Sequence, residues 1–515
     1  MSNLGLYRLA LLAGAMALTF TKPAIADSST DSAIQSLQQQ INDLNAQLQT
    51  LKQKEQQQEQ QQPPAQTANP VAPPPASSVS NGTGEIAVTT PTKSAPRPLG
   101  ASIANGIVNG KPVFSSNDGQ FTAAIRVLGQ FDTAYYMQGD NARSFASSYG
   151  SELASGENFR RAWFGIYGKA FGDWSYVANF DFGSSGGVEN PGRIQSLFME
   201  YDGLKPFAFR IGAYPPPAGL EDTTPSSDTM FLERASPTDL ARNMAGGEAR
   251  DAASLLYIGD RIFGAFSLTG GNLTATPVYQ EQDALLGRVA GLLYSAQDTN
   301  IVLSAMGSDI VKLPDTTPGP DPLSGISLSD PPELTVDSTG TRLVNTGTLS
   351  AKSADNWGLE GAAQWRNFYS QAGYFGYDVY REHYQYPDDS FDGWYAQASW
   401  VITGEEKQYR PSLGAFIEPV PDHPLGSGIG AWELVGRYSD LDLNQGVGFE
   451  GESTPYGGVR GGDQKIWTLG LNWYPNSLFR FMMDYQNIGI SRLSSSGDDV
   501  SQTVQALALR AEISY

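Results

Sequence analysis

From Gln505 to the final Tyr515 the chain alternates strictly. Leu507, Leu509, Ala511, Ile513 and Tyr515 fall on one face, and Ala508, Arg510, Glu512 and Ser514 on the other. A half-buried strand of a soluble sheet reads the same way. An alternating strand that stops on an aromatic residue is also the usual last strand of an outer-membrane barrel, where one face meets lipid and the other meets water. The rest of the chain decides between the two.

The period of two returns from Gly119 onward. Phe121, Ala123, Ile125, Val127, Phe131 and Tyr135 oppose Arg126, Gln130 and Asp132. Ala162, Phe164 and Ile166 oppose Arg161, Tyr167 and Lys169, and Trp174, Tyr176, Ala178, Phe180 and Phe182 oppose Ser175, Asn179 and Asp181. Trp394, Ala396, Ala398 and Trp400 oppose Tyr395, Gln397 and Ser399, and Trp467, Leu469, Leu471 and Trp473 oppose Thr468, Asn472 and Tyr474. Each segment has the roughly ten residues a tilted membrane strand needs, and about sixteen of them fit between 121 and 515, an even number as bacterial barrels require.

The connections keep the same parity. Tight turns at Asp173, 203–206, 259–260, 297–298 and 475–476 alternate with long connections near 139–158, 214–249, 309–355 and 440–464. Short turns belong on the periplasmic side and long loops outside, which places both termini in the periplasm. The stretch 404–430 is long but falls on the periplasmic side, so it is expected to fold into the lumen.

Arg8, the apolar run Leu9 to Phe20 and Ala24-Ile25-Ala26 before Asp27 read as a secretory signal peptide over 1–26. In the segment 27–58, Ile34, Leu37, Ile41, Leu44, Leu48 and Leu51 form an a/d seam that predicts a short periplasmic coiled coil. A solvated helix without a partner is the alternative. Ile at a with Leu at d leans toward dimers, so the seam alone does not specify a trimer. Residues 59–118, with a Gln tract, Pro63-Pro64 and Pro73-Pro74-Pro75, read as a linker to a barrel over 119–515. The fold class is thus all-β, a transmembrane antiparallel barrel of about sixteen strands behind a coiled coil.

Composition removes other classes. A net charge of −21 argues against nucleic acid, which needs a basic face. The chain has no cysteine, so it has neither disulfides nor thiol ligands. His383 and His423 are the two histidines, and neither has a nucleophile motif beside it, so no catalysis and no cofactor are expected. Arg and Lys balance Asp and Glu over 1–100, leaving the acidity in the barrel segment, much of it at Asp309, Asp315, Asp321, Asp330, Glu333 and Asp337. These read as solvated loop surface, with divalent-cation bridging to anionic lipid as the weaker alternative.

Several strings resemble one family. They are Arg210-Ile211-Gly212-Ala213-Tyr214-Pro215-Pro216-Pro217, Ser226-Ser227-Asp228-Thr229-Met230-Phe231-Leu232-Glu233-Arg234, Arg342-Leu343-Val344-Asn345-Thr346-Gly347 and Thr403-Gly404-Glu405. Gly430-Ala431-Trp432-Glu433-Leu434-Val435-Gly436-Arg437-Tyr438-Ser439-Asp440 and Leu471-Asn472-Trp473-Tyr474 complete the set. Together, from Gly119 to Tyr515, they resemble the phosphate-selective porin O and P family. The resemblance implies a sixteen-stranded homotrimeric barrel with lumen-folded loops, the third external loop (214–249) as constriction and 404–430 as an inward turn. Two positions depart from the family's pattern: Pro215 stands where a lysine is common, and Trp163 where a basic residue often follows the Arg-Arg pair.

Anion selectivity requires water-facing Arg or Lys inside a low-dielectric wall. Alternation puts Arg126, Arg161, Arg210, Arg437, Arg480 and Arg510 on inward faces, with Arg234, Arg242 and Arg250 in or beside the third loop. These nine form the expected anion path, and Tyr395 and Tyr474 the lumenal wall. The competing reading pairs them with Glu433, Asp484, Glu512, Asp239, Glu248 and Asp251, with Glu433 facing Arg437 and Asp484 facing Arg480. The expected function is an outer-membrane porin passing small hydrophilic solutes, anions such as phosphate above all. A porin of little charge preference or for uncharged solutes, and an envelope tether reaching the cell wall through the coiled coil, remain the alternatives. The expected partners are outer-membrane lipid, two further copies of the chain and small solutes.

Overall fold

Hydrocarbon offers no partner to a backbone N–H or C=O, so a sheet that crosses it must close on itself. This one does. In the computed structural model, which describes residues 103–108, 111–139, 152–183, 192–273, 280–315, 324–382 and 386–515, Gln502–Ser514 pairs antiparallel with Thr122–Gln138 from Val504↔Gln138 to Ser514↔Leu128. Tyr515 finishes the seam, its N–H donating to Val127 O at 2.9 Å and its C=O accepting from Val127 N–H at 2.7 Å.

The strands, numbered along the chain, begin with β1 (Ile103–Val108), β2 (Lys111–Ser116), β3 (Thr122–Gln138), β4 (Gly156–Ala170), β5 (Trp174–Asp181), β6 (Arg193–Leu204) and β7 (Phe207–Ala213). β8 (Arg250–Ile258), β9 (Ile262–Asn272), β10 (Asp283–Ala296), β11 (Thr299–Lys312), β12 (Gly325–Asp330), β13 (Val344–Trp365), β14 (Phe368–Arg381) and β15 (Asp389–Val401) follow. The last are β16 (Gln408–Arg410), β17 (Ala415–Ile417), β18 (Ala431–Gln445), β19 (Val459–Tyr474), β20 (Phe479–Ser491) and β21 (Gln502–Ser514). Sixteen of them, β3–β11, β13–β15 and β18–β21, pair with their chain neighbours around a closed antiparallel barrel. Two short helices, α1 (Leu220–Thr223) and α2 (Ser236–Ala245), lie in the β7–β8 connection.

The outer face is apolar. Phe164, Leu303, Trp467, Leu469 and Leu509 stand exposed on it, while Tyr395, Gln397, Thr468, Asn472 and Arg510 on the alternate positions are buried inward. Aromatic rows bound this band. One runs Trp357–Tyr374 and then Trp394–Tyr438–Trp467 across β13 to β19, and the other runs Trp365–Phe368–Trp400 and then Trp432–Trp473–Phe481. From Trp357 to Trp365, at roughly 3.4 Å rise and ~40° tilt, the rows lie about 21 Å apart, near the height of a membrane barrel's apolar belt.

Three sequence expectations change. The linker expected over 59–118 contains a hairpin, β1–β2, that joins β3 through Val113↔Ala124, Phe114↔Ala123 and Ser115↔Thr122. Its signal was the Asn109-Gly110 pair between apolar runs. The connections expected at 309–355 and 440–464 are shorter, because β11, β13, β18 and β19 run on past the aromatic row with Asp309, Asp355, Asp440 and Asp463 in their ladders. Polar residues beyond the lipid band look like loop, yet the backbone stays paired. Third, Glu333, Asp330, Asp337 and Asp315, expected as solvated loop surface, are buried. The signal peptide (1–26), the coiled coil (27–58), Asp321 and His383 lie outside the described residues.

The lipid band can be tested by depth. Leu303, 53% exposed, pairs with Gly361 midway between Trp357 and Trp365, whereas Phe449, 75% exposed, lies in the β18–β19 connection. Leu303→Arg is expected to lower unfolding free energy in lipid vesicles by about 2–4 kcal/mol, and Phe449→Arg by under ~0.5 kcal/mol, read from urea titration of tryptophan fluorescence. Equal effects would contradict the band.

Candidate functional site in the barrel lumen

The β7–β8 connection does not project outward. It lies inside the barrel, seated by hydrogen bonds from one side of the wall. Glu360 of β13 accepts from the N–H groups of Leu220 and Glu221 (3.1 Å to Glu221), which satisfies the start of α1. Gly219 permits this approach, since a Cβ there would sit 2.7 Å from a Glu360 oxygen. Glu333 accepts from Ser236 N–H at 2.9 Å at the start of α2. Asn356 donates to Ala241 O at 2.9 Å and Tyr377 to Pro237 O at 2.6 Å.

Between the helices, the main chain of 229–233 meets a row of wall side chains. Arg480 donates to Thr229 O at 2.9 Å, Asn472 to Met230 O at 2.9 Å, Arg510 to Leu232 O at 2.7 Å and Arg437 to Glu233 O at 3.0 Å. Asp484 accepts from Leu232 N–H at 2.9 Å. The Glu233 side chain gathers Arg160 at 2.5 Å, Arg510 at 3.4 Å and Arg161 at 3.9 Å. Burial alone would push its carboxyl up, but these three guanidinium groups hold it well below the usual carboxylate range. The clasp therefore keeps its charge on acidification until the pH falls through that depressed value.

The nine expected arginines divide by partner. Arg437, Arg480 and Arg510 are buried in this clasp: Arg437 also meets Glu333 and Glu221, Arg480 pairs with Glu512 at 2.9 Å, and Arg510 with Asp132 at 2.6 Å. Arg234 donates to the carbonyls of Glu221, Asp222 and Thr224 and staples its own loop, and Arg250 donates to those of Gly246, Asn243 and Gly270, tying the loop's end to β9. Arg242 pairs with Asp222 at 2.5 Å. Arg161 donates to Gln130 at 2.9 Å and lies 3.8 Å from Glu248. Arg210 pairs with Glu200 at 2.7 Å and packs over the rings of Phe198 and Tyr214. Arg126 lies over Trp163 at 5.3 Å and makes no ion pair or hydrogen bond among the described residues. Tyr395 and Tyr474 do face inward, but both are fully buried, donating to Glu360 at 2.7 Å and Glu433 at 2.7 Å.

Two expected pairings are different in the structure. Glu433 is met by Lys407 at 2.9 Å rather than by Arg437, and Asp484 serves the Leu232 amide rather than Arg480. Lys407 comes from the β15–β18 connection, which does enter the lumen: its Ala415, Phe416 and Ile417 are buried, and Phe416 packs on Tyr369. Arg288, missed in the sequence, ties that connection to the loop, donating to Leu413 O and Gly414 O at 2.8 Å and to Thr223 at 2.9 Å. Arg160 was missed because a β-bulge sets Gln130 opposite Arg161 and Phe131 opposite Phe159, so two consecutive arginines turn inward.

The half-exposed lumen side chains gather on the facing wall, β4–β7, at Tyr167, Lys169, Val177, Phe198, Glu200 and Arg210. The loop and turn thus fill one side and leave the other to solvent. Arg437→Met would leave Glu333 buried without its counter-charge, a loss of about 3–5 kcal/mol. The expected outcome is a lower urea midpoint with larger, noisier single-channel conductance, both largely reversed by adding Glu333→Gln. Unchanged conductance would show that the clasp does not hold the loop.

The sequence profile of the phosphate-selective porin O and P family matches residues 136–515. Porin O of Pseudomonas aeruginosa is 26% identical over 368 residues, covering 66% of this chain and 78% of the relative. An uncharacterized protein of Caulobacter vibrioides is 26% identical over 496 residues, covering 92% of this chain and 89% of its own. Among solved structures, the anion-selective porin from Comamonas acidovorans superposes with a TM-score of 0.44 at 10% identity, over 77% of this chain and 100% of that one. The family profile and the closed sixteen-strand barrel together point to a channel rather than an enzyme, and the chain belongs to the phosphate-selective porin O and P family of the outer membrane.

Proposed function

We propose that this porin passes small anions by passive diffusion, as a homotrimer whose N-terminus lies in the periplasm. The supporting observation is the charge count on the open wall. Its acidic groups each have a cation: Glu200 has Arg210, Asp202 has Lys169 at 2.8 Å, Asp181 has Arg193 at 3.0 Å and Glu248 has Arg161. Arg126 has no carboxylate within ion-pair distance among the described residues and is the cation in excess, since Arg250 of β8, bonded to carbonyls, is followed directly by Asp251, which no ion pair meets. The surplus on that side is positive, in a lumen where low-dielectric walls strengthen every charge. Phosphate is the first candidate, on the strength of the family description and of Porin O among the relatives. The alternative of weak charge preference rests on the clasp arginines, whose partners cancel much of their field.

The test is the zero-current potential of reconstituted channels across a KCl gradient. Chloride is expected to be the more permeant ion. Asp228 of the loop acts on Arg126 from beyond ion-pair distance, so Asp228→Asn is expected to raise the chloride-to-potassium ratio by about twofold and Arg126→Gln to lower it by about twofold. A ratio near one, unmoved by either change, would favour the weak-preference porin. Native mass spectrometry in detergent is expected to give three copies, and a monomer would remove the trimer.

A further inference from the structure

At one corner of the open wall two hydrogen-bond donors stand without acceptors among the described residues. Arg126 of β3 and Trp163 of β4 face the lumen with the guanidinium 5.3 Å from the indole ring centroid. The Trp163 Nε1–H is buried and has no partner among the described residues. Most other lumen arginines reach a carboxylate or a carbonyl, so a guanidinium whose nearby loop carboxylate, Asp228, stays beyond ion-pair distance, beside an indole N–H with no acceptor among the described residues, is out of keeping with the rest of the lumen. Directly below them runs an inward row of different character. Tyr167 pairs with Val177 and Val177 with Phe198, which places a phenol, an isopropyl group and a phenyl ring side by side, each partly open to the lumen. Arg210 covers one end of the row at 4.6 Å from the Phe198 ring, and its own charge is met by Glu200.

A small inorganic oxyanion is best held by several charged donors converging on it, which satisfy all its oxygens. Here one guanidinium supplies the charge and the neighbouring surface is aromatic and apolar. That combination suits a carboxylate carrying a flat apolar body, with the head on the donors and the body on the ring row. We propose that Arg126, Trp163, Tyr167, Val177 and Phe198 form a lumenal subsite for ring-bearing organic carboxylates, in which Trp163 holds the guanidinium open to the solute. The inference rests on the anion-porin reading but makes a claim of its own, namely that the solute's apolar body contributes to binding.

The experiment is block of single-channel chloride current in planar bilayers by benzoate, acetate and inorganic phosphate, added separately to the full-length channel. Benzoate is expected to half-block at about fivefold lower concentration than acetate, the increment of one aromatic contact, and at lower concentration than phosphate. Phe198→Ala is expected to bring benzoate to the level of acetate while acetate is unchanged. Arg126→Lys, which keeps the charge and loses the planar fork, is expected to weaken both carboxylates. Benzoate no better than acetate in the wild type overturns the subsite, and so does phosphate blocking more tightly than benzoate. The KCl reversal potential of the same channels separates the two readings: chloride preference with equal benzoate and acetate block removes the subsite alone. Potassium preference removes the anion-porin reading.

Discussion

The structure depends on a backbone that has no water to fall back on. Within the apolar belt each strand must find its hydrogen bonds in its two neighbours, which forces the sheet to close and forces β21 back onto β3. Once closed, the cylinder sorts side chains by the pleat alone. Trp394 and Trp400 go to lipid and Tyr395 to the interior because they alternate, whatever their individual preferences. The interior then receives every arginine and carboxylate that the outer face rejects.

Charged groups confined in this way must be satisfied by one another or by backbone, since an unpaired buried charge is far costlier than a paired one. The inward-folded loop answers that requirement. Its carbonyls at 229–233 and the Glu233 side chain take up Arg437, Arg480, Arg510 and Arg160, while Glu360 and Glu333 meet the amides that open α1 and α2. Loop and wall therefore stabilise each other. Arg288 extends the same logic to the β15–β18 connection by joining it to α1 through Thr223. What remains open is the β4–β7 wall, where Tyr167, Val177 and Phe198 stand beside ion pairs such as Glu200–Arg210 and Asp202–Lys169.

Much of this was legible in the sequence, and the failures have specific causes. Period-two alternation gave the strand faces and the parity of the connections, including the odd position of 404–430, because the pleat writes itself directly into residue spacing. A bulge inserts one residue and breaks that code, which is why Arg160 was not among the inward arginines expected. Neighbours along a strand were poor guides to ion pairs. Glu433 and Arg437 share a face, but each is claimed by a group from a distant segment, Lys407 and Glu333. Glu333 itself looked like loop surface, since a single acidic residue among turn formers carries no sign that it will cap a helix inside a barrel.

The account stands on a lumen that is wetted from end to end despite the loop and the turn folded into it. Single-channel recording of the purified barrel in a planar bilayer measures that directly. Discrete conductance steps that rise in proportion to KCl concentration are the predicted result. Folded, membrane-inserted protein that gives no steps at any salt concentration would mean the inward segments seal the cylinder.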